Sequence, residues 1–243
     1  MQIYIDSADP IEIRRYRKLG LTRGVTTNPG SFGSSGLSSD PKELLRAILD
    51  AADGAPVFVQ VRAREPLGQL KEAQLLSAIG PAIVIKVIMD EVGFQSIPQM
   101  VKAGLQVCGT AVNSIGRAIL AAECGAHYII PYYGWLEDSH DRSTQLISDV
   151  AEIYQAQRYQ TKVHVFCRRM IDVMVAAKAG VWGVLMEPQD LQRLFDHPHS
   201  AIAVDGHRAS WDSRYGQDST WLDFLMDSAA QSAQEQMTGA TSQ

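Results

Sequence analysis

Ala82-Ile83-Val84-Ile85-Lys86-Val87-Ile88-Met89 is an apolar, β-branched run broken by one ammonium. Such a run reads as a strand of a parallel sheet covered on both faces, where no polar-apolar alternation is needed. Burying an ammonium costs on the order of several kcal/mol unless it is paired or deprotonated. Lys86 therefore has two readings. It lies at the strand's end and snorkels to water, or it is held as an amine of lowered pKa, able to attack a carbonyl and form a Schiff base. The residues around it decide between them.

Outward from this strand, similar apolar runs recur at Gln2–Asp6, Gly24–Asn28, Pro56–Val61, Gln106–Thr110, Tyr128–Tyr132, Lys162–Cys167 and Val181–Met186. Between them lie stretches of helical period. In Asp40-Pro41-Lys42-Glu43 an N-cap, a proline at N1 and an acidic N3 open a helix. Leu44, Leu45, Ile48 and Leu49 form its apolar face. Further helices are expected over 69–78, 92–103, 114–124, 144–155, 169–179 and 188–194. Gly104, Gly125 and Gly180 each follow a helix and precede a strand, as C′ glycines do.

Eight such units predict a (β/α)8 TIM barrel over residues 1–208. A doubly wound open sheet is the rival, but the Gly-rich fingerprint usual after its first strand is missing. Gly30–Ser39 reads as a flexible loop, either a lid or a slack connection. Trp211, Tyr215, Trp221 and Phe224 lie beyond the barrel units. They imply an additional C-terminal helix over 209–226, packed on the barrel or on a neighbouring subunit. The polar tail 227–243 is expected to fray.

Composition removes several function classes. The chain has 243 residues, 46% of them hydrophobic and 20% charged, with a net charge of −5, so a nucleic-acid partner is not expected. No apolar stretch is long enough to span a bilayer, and the first residues lack a basic-then-apolar signal pattern. The three cysteines, Cys108, Cys124 and Cys167, are odd in number and widely spaced, which fits a reducing cytoplasm. The six histidines form no ligand set, and no metal is expected. His197 and His199 flank a proline in an expected loop.

The strand ends carry the chemistry. They read Asp6, then Thr26-Thr27-Asn28, Gln60, Lys86, Thr110, Tyr132, and Cys167 with Arg168 and Arg169 just beyond. In a (β/α)8 barrel these ends converge on one mouth, where active sites sit. Singly each has a dull explanation: Asp6 caps a helix, Asn28-Pro29 makes a turn, Thr110 is a β-former. A carboxylate, two amides, an amine, a hydroxyl and a phenol around one opening together make a candidate site.

These stretches resemble the small transaldolase and fructose-6-phosphate aldolase family. The resemblance is carried by Ile3-Tyr4-Ile5-Asp6-Ser7-Ala8, Gly24-Val25-Thr26-Thr27-Asn28-Pro29, Phe58-Val59-Gln60-Val61, Ile85-Lys86-Val87, Gly109-Thr110-Ala111-Val112 and Pro131-Tyr132, and it covers about 1–215. It implies a metal- and cofactor-free class I aldolase or transaldolase. Lys86 would be the Schiff-base lysine, Asp6 and Asn28 would contact a three-carbon unit, and Gln60, Thr110 and Tyr132 would position water and move protons. Gln60 and Tyr132 are similar to aldolase members, which leans the reading toward fructose-6-phosphate aldolase-like cleavage. Transfer of a dihydroxyacetone unit to an aldose acceptor, in a specialised biosynthetic pathway, is the alternative. The resemblance also implies a homo-oligomer, in small members a decamer.

Two other classes stay open: a sugar-binding barrel without turnover, and a phosphosugar isomerase, for which no strand-end Glu or His base is evident.

The chain departs from the family at its phosphate end. Trp135 stands where an arginine is usual, and the seventh-strand pattern becomes Cys167-Arg168-Arg169. Ile88 replaces a proline. Losing a guanidinium removes a bidentate phosphate clamp. The substrate is then a sugar phosphate held by Arg169, with Arg168 or Arg142 as substitutes, or a neutral sugar. Trp135 either stacks on the sugar or packs on the rim.

Overall fold

The computed structural model describes residues 1–34, 40–132 and 143–226. Its strands are β1 (Gln2–Asp6), β2 (Gly24–Thr26), β3 (Val57–Gln60), β4 (Ile83–Ile88), β5 (Val107–Val112), β6 (Tyr128–Pro131), β7 (Lys162–Phe166) and β8 (Gly183–Met186). They close in chain order into one barrel, with β8 parallel to β1. Helices α1 (Pro10–Lys18), α2 (Pro29–Ser34), α3 (Pro41–Ala52), α4 (Pro66–Ser77), α5 (Glu91–Lys102), α6 (Ile115–Glu123), α7 (Ser143–Gln157), α8 (Met170–Lys178) and α9 (Pro188–Gln192) connect them. Residues Met1–Leu194 form one compact unit and a second begins at Phe195.

The strands' period of two sorts their side chains. One parity faces the helices and joins the large outer core with Ile5, Val25, Val57, Val59, Ile85, Val87 and Ile129. The other fills the barrel with Tyr4, Phe58, Val84, Cys108, Ile130, Phe166 and Leu185. Continuing that inner parity one step toward the strands' C-terminal ends gives Asp6, Gln60, Lys86, Thr110, Tyr132, Arg168 and Glu187. Asp6 and Lys86 thus stand on top of a packed aromatic and aliphatic plug, in the layered manner of such barrels. In the layer below lies His164, fully buried between the rings of Tyr4, Tyr128 and Phe58 at 4.4, 5.3 and 5.7 Å. A Cβ on Gly183 would come within 2.8 Å of this imidazole, so glycine is needed for β8 to pass it.

Several local expectations are corrected. The first helix is capped by Asp9, whose carboxylate accepts from the Ile11 amide at 2.8 Å; Asp6 is left for the barrel mouth. The start of the expected loop at 30–39 is helical as α2, and residues 35–39 lie outside the described ones. Strand β5 runs past Thr110 to Val112 through an irregularity, with Ala111 at φ 58°, a left-handed conformation uncommon outside glycine.

At the C-terminus, helix α10 covers Pro198–Tyr215, with His197 as its N-cap residue where a loop was expected. The chain turns at Gly216 (φ 102°) and is helical again over 221–226. Trp211 stacks against Tyr215 and Trp221 at 4.6 and 5.1 Å, and its indole N–H donates to the Ser219 carbonyl at 2.8 Å. The expected tail, 227–243, lies outside the described residues.

Candidate active site

Nothing in the sequence of β4 forces Lys86 outward, because its parity matches Val84 in the plug. The side chain is 3% exposed. Its Nζ donates to Thr26 Oγ1 at 3.2 Å and to the Thr27 carbonyl at 2.8 Å. These bonds anchor the amine without supplying a counter-charge. Burial pushes its pKa below the ordinary lysine value, and the Asp6 charge opposes the shift only in part. Thr27 contributes its carbonyl alone, since its hydroxyl is turned away to donate to the Phe58 carbonyl at 2.8 Å. Of the two initial readings of Lys86, snorkelling to water is excluded by this burial.

Asp6 shares a cavity of about 330 Å³ with Lys86, Asn28, Ile130, Tyr132, Phe166, Arg168, Leu185 and Glu187. Burial raises its carboxyl pKa to about 6; Lys86 opposes the rise and Glu187 adds to it. Such a carboxyl exchanges protons near neutral pH. Asn28 is fixed from both ends: its Oδ1 accepts from the Ser31 amide at 3.0 Å and its Nδ2 donates to Asp6 Oδ1 at 3.4 Å. Only this amide orientation satisfies both neighbours. The Ser31 hydroxyl in turn accepts from the Asn28 amide at 3.0 Å, so the first turn of α2 holds the residue in place.

Across the mouth, the Thr110 hydroxyl and the Tyr132 phenol are 2.9 Å apart. The bulge at Ala111 shifts the β5–β6 register between Thr110 and Val112, just where these two side chains meet. Burial raises the Tyr132 pKa, keeping the phenol protonated as a donor. Beneath the lysine, Cys108 is fully buried with its thiol pushed up to about 12, so it stays neutral.

The geometry brings together Asp6, Asn28, Lys86, Tyr132 and Arg168, with Thr110 and Thr27 bonded to them. Among the described residues it does not bring in Cys167, Arg169 or Gln60. Cys167 has the opposite parity from Phe166; it is fully buried in the outer core, its thiol bonding to the Val165 carbonyl at 3.6 Å. Arg169 stands outside the cavity as the N-cap of α8, where its Nη2 donates to Asp172 Oδ1 at 2.7 Å. Among the described residues the guanidinium at the mouth is that of Arg168, where Arg169 was expected. Gln60 pairs in register with Lys86 but lines a neighbouring apolar groove with Val59, Leu45 and Leu76. Trp135 and Arg142 lie outside the described residues. Ile88, in the family's proline position, is 41% exposed.

One site residue was missed. Glu187, just after β8, lines the cavity with its carboxylate 4.0 Å from the Arg168 guanidinium. The signal was available, because Gly183, Leu185 and Glu187 share the inward parity. Met-Glu-Pro simply reads as the start of a helix, and Glu187 is in fact the N-cap residue of α9.

A family model described as Transaldolase/Fructose-6-phosphate aldolase matches residues 3–238. A probable transaldolase from Anaeromyxobacter sp. is 34% identical over 213 residues, covering 87% of this chain and 98% of that protein. A probable transaldolase from Methanococcus vannielii is 33% identical over 214 residues, covering 88% and 98%. Among solved structures, a flavocytochrome b2 with sulfite bound superposes with a TM-score of 0.58 at 15% identity, over 77% of this chain and 57% of that chain; at that identity the likeness is one of fold alone. Sequence match, closed parallel barrel and strand-end constellation agree, and the chain belongs to the transaldolase/fructose-6-phosphate aldolase family.

Proposed function

We propose that the protein is a class I aldolase or transaldolase that makes or breaks a carbon–carbon bond through a Schiff base on Lys86. One observation carries the reading: a buried lysine of lowered pKa shares a cavity with a carboxyl titrating near 6. The neutral amine attacks a ketose carbonyl, and loss of water gives an iminium ion. The iminium withdraws electrons, so the adjacent carbon–carbon bond breaks once a base takes the proton of the neighbouring hydroxyl. The products are an enamine and an aldehyde. Tyr132 and Thr110, already hydrogen-bonded, serve to hold water and pass protons. Asp6 and Asn28 bind the hydroxyls of the three-carbon unit. Gln60 joins this set only if its side chain turns from the groove toward its register partner Lys86.

The enamine has two fates. Protonation and hydrolysis release a three-carbon ketone, which is aldolase chemistry; attack on a second aldehyde is transaldolase chemistry. Tyr132 and Gln60 favour the first, as in aldolase members. The relatives, probable transaldolases, favour the second. Incubation with dihydroxyacetone and borohydride is expected to add one reduced three-carbon unit at Lys86, located by peptide mass spectrometry. Absence of the adduct would rule out the Schiff base. In the same preparation, free dihydroxyacetone released from fructose or fructose 6-phosphate without an added aldehyde identifies an aldolase; release of the donor's aldehyde fragment only when an acceptor aldehyde is added, with the three-carbon unit recovered in a new ketose, identifies a transaldolase.

We also infer a homo-oligomer. Ile202, Val204, Trp221, Leu222, Phe224, Leu225 and Met226 are 42–69% exposed, an apolar set that monomers seldom leave in water. Light scattering at micromolar concentration should return a multiple of 26.7 kDa, and in a decamer ten protomers. A monomer mass would refute this.

A further inference from the structure

Family resemblance directs attention to a phosphate at the acceptor end of the site, yet the residues there are arranged against one. A helix N-terminus is a natural anion site, and α8 begins beside the mouth. That position is already filled from within. Asp172, fully buried, accepts from the amides of Arg168 and Arg169 at 3.2 and 2.9 Å. Its other oxygen takes the Arg169 guanidinium, so the helix end and one cation are spent on an internal carboxylate.

Arg168 is the remaining guanidinium in the cavity among the described residues. It lies over the Phe166 ring at 5.5 Å and faces Glu187 at 4.0 Å. Beyond Glu187 the cavity opens into a polar annex. Among the described residues Asp6, Ser7, Asp9, Asn28, Ser31 and Glu187 line it, and no lysine or arginine does. Asp9 is partly occupied as the α1 cap, and Asp6, its pKa raised to about 6, is still mostly carboxylate at pH 7. With Asp6 and Asn28 serving the three-carbon unit, the Ser7 and Ser31 hydroxyls and the Glu187 carboxylate are left to match the hydrogen-bonding needs of an acceptor's hydroxyls. Among the described residues, a phosphate dianion there would meet carboxylates that no lysine or arginine lining the annex offsets.

We propose that the acceptor end of this site takes an uncharged, hydroxylated aldehyde in preference to a phosphorylated one, and that Glu187 determines that preference by engaging Arg168 and repelling phosphate. The proposal rests on the Schiff-base reading for its reaction, but not for its electrostatics. Glu187 is a specificity-determining residue here, and the bond-making chemistry stays with Lys86.

The test uses a matched pair of acceptors, glyceraldehyde and glyceraldehyde 3-phosphate, with dihydroxyacetone as donor. The wild type should show kcat/KM at least tenfold higher for the free aldehyde. Glu187→Gln should shift the ratio at least tenfold toward the phosphorylated one, mainly through KM, and Glu187→Gln combined with Arg168→Met should cancel the shift. A binding measurement needs no turnover. Calorimetric titration with inorganic phosphate should give saturable binding at millimolar concentration to Glu187→Gln and none to the wild type or the double variant. A wild type that prefers the phosphorylated aldehyde, or a Glu187→Gln variant that changes neither the ratio nor phosphate binding, overturns the assignment. If no aldehyde is consumed and borohydride leaves Lys86 unmodified, the Schiff-base reading fails. The phosphate titration then still decides the role of Glu187.

Discussion

Lys86→Ala, Lys86→Met and Lys86→Arg all lose turnover by about four orders of magnitude or more, the scale seen when a covalent nucleophile is removed. The three variants fail for different reasons. Alanine removes the nitrogen. Methionine keeps the length and apolar stem but has no nucleophile. Arginine keeps a nitrogen that stays protonated throughout the accessible pH range. Stability should move the other way. Lys86 is 3% exposed and makes its two hydrogen bonds to neutral oxygens. Replacing it by methionine removes a desolvated amine at little cost in packing. The expected result is an inactive Lys86→Met protein that melts no lower than the wild type. If the borohydride adduct persists in Lys86→Ala, or if Lys86→Arg retains substantial turnover, another amine carries the reaction and the site must be redrawn.

Much of this arrangement was readable in the sequence because a parallel barrel repeats one rule eight times. A short apolar run, a polar residue at its C-terminal end and an amphipathic segment after it suffice to place Asp6, Asn28, Lys86, Thr110 and Tyr132 on one mouth. The Asp40-Pro41 signal located α3 to the residue. The same signal at Asp9-Pro10 passed unnoticed because α1 is dominated by charged residues, and only Pro10, Ile13 and Tyr16 are buried on it.

What failed was parity. Adjacent residues at a strand end point to opposite faces, and the phase of that alternation has to be counted from a residue known to be buried. Counting in twos along β7 from the buried His164 and Phe166 gives Arg168, and it excludes both Cys167 and Arg169. Counting along β8 gives Glu187. Arg169 was also misjudged because its partner is local: Asp172 lies three residues on, and an i,i+3 capping pair competes with any ligand for the same guanidinium. Gln60 shows the limit of the rule. Its parity is inward, but a groove beside β3 offers the side chain a second direction, which no pattern in the sequence encodes.

Parity also places a group that the catalytic reading never uses, and its replacement should have the second-largest effect. His164 stands in the barrel interior, and among the described residues neither ring nitrogen has a hydrogen-bond partner. Burial, and to a smaller extent the charge of Lys162, push its pKa down to about 3 from 6.5. A base whose folded-state pKa is depressed takes up its proton more readily in the unfolded chain. Its contribution favours folding least at low pH: stability falls as pH drops below 6.5 and levels off only near 3. At ~1.4 kcal/mol for each pH unit the loss approaches about 5 kcal/mol, comparable with the whole stability of a small domain.

Asp6 acts in the opposite sense. Its folded pKa of about 6 lies above the ordinary 3.8, so between those values acidification favours the fold. The two slopes partly cancel in the wild type, and its acid sensitivity alone would hide both. His164→Leu removes one of them. The substitution keeps a similar volume beside Tyr4, Phe58 and Tyr128, and it deletes two buried nitrogens that have no partners. Denaturant midpoints for the two proteins should differ little at pH 7 and separate progressively toward pH 4, with His164→Leu the more stable by about 2 kcal/mol or more at the acid end. Parallel curves from pH 7 to pH 4 would mean that the imidazole is not neutral and enclosed in the folded barrel, and that its pKa is the same folded and unfolded.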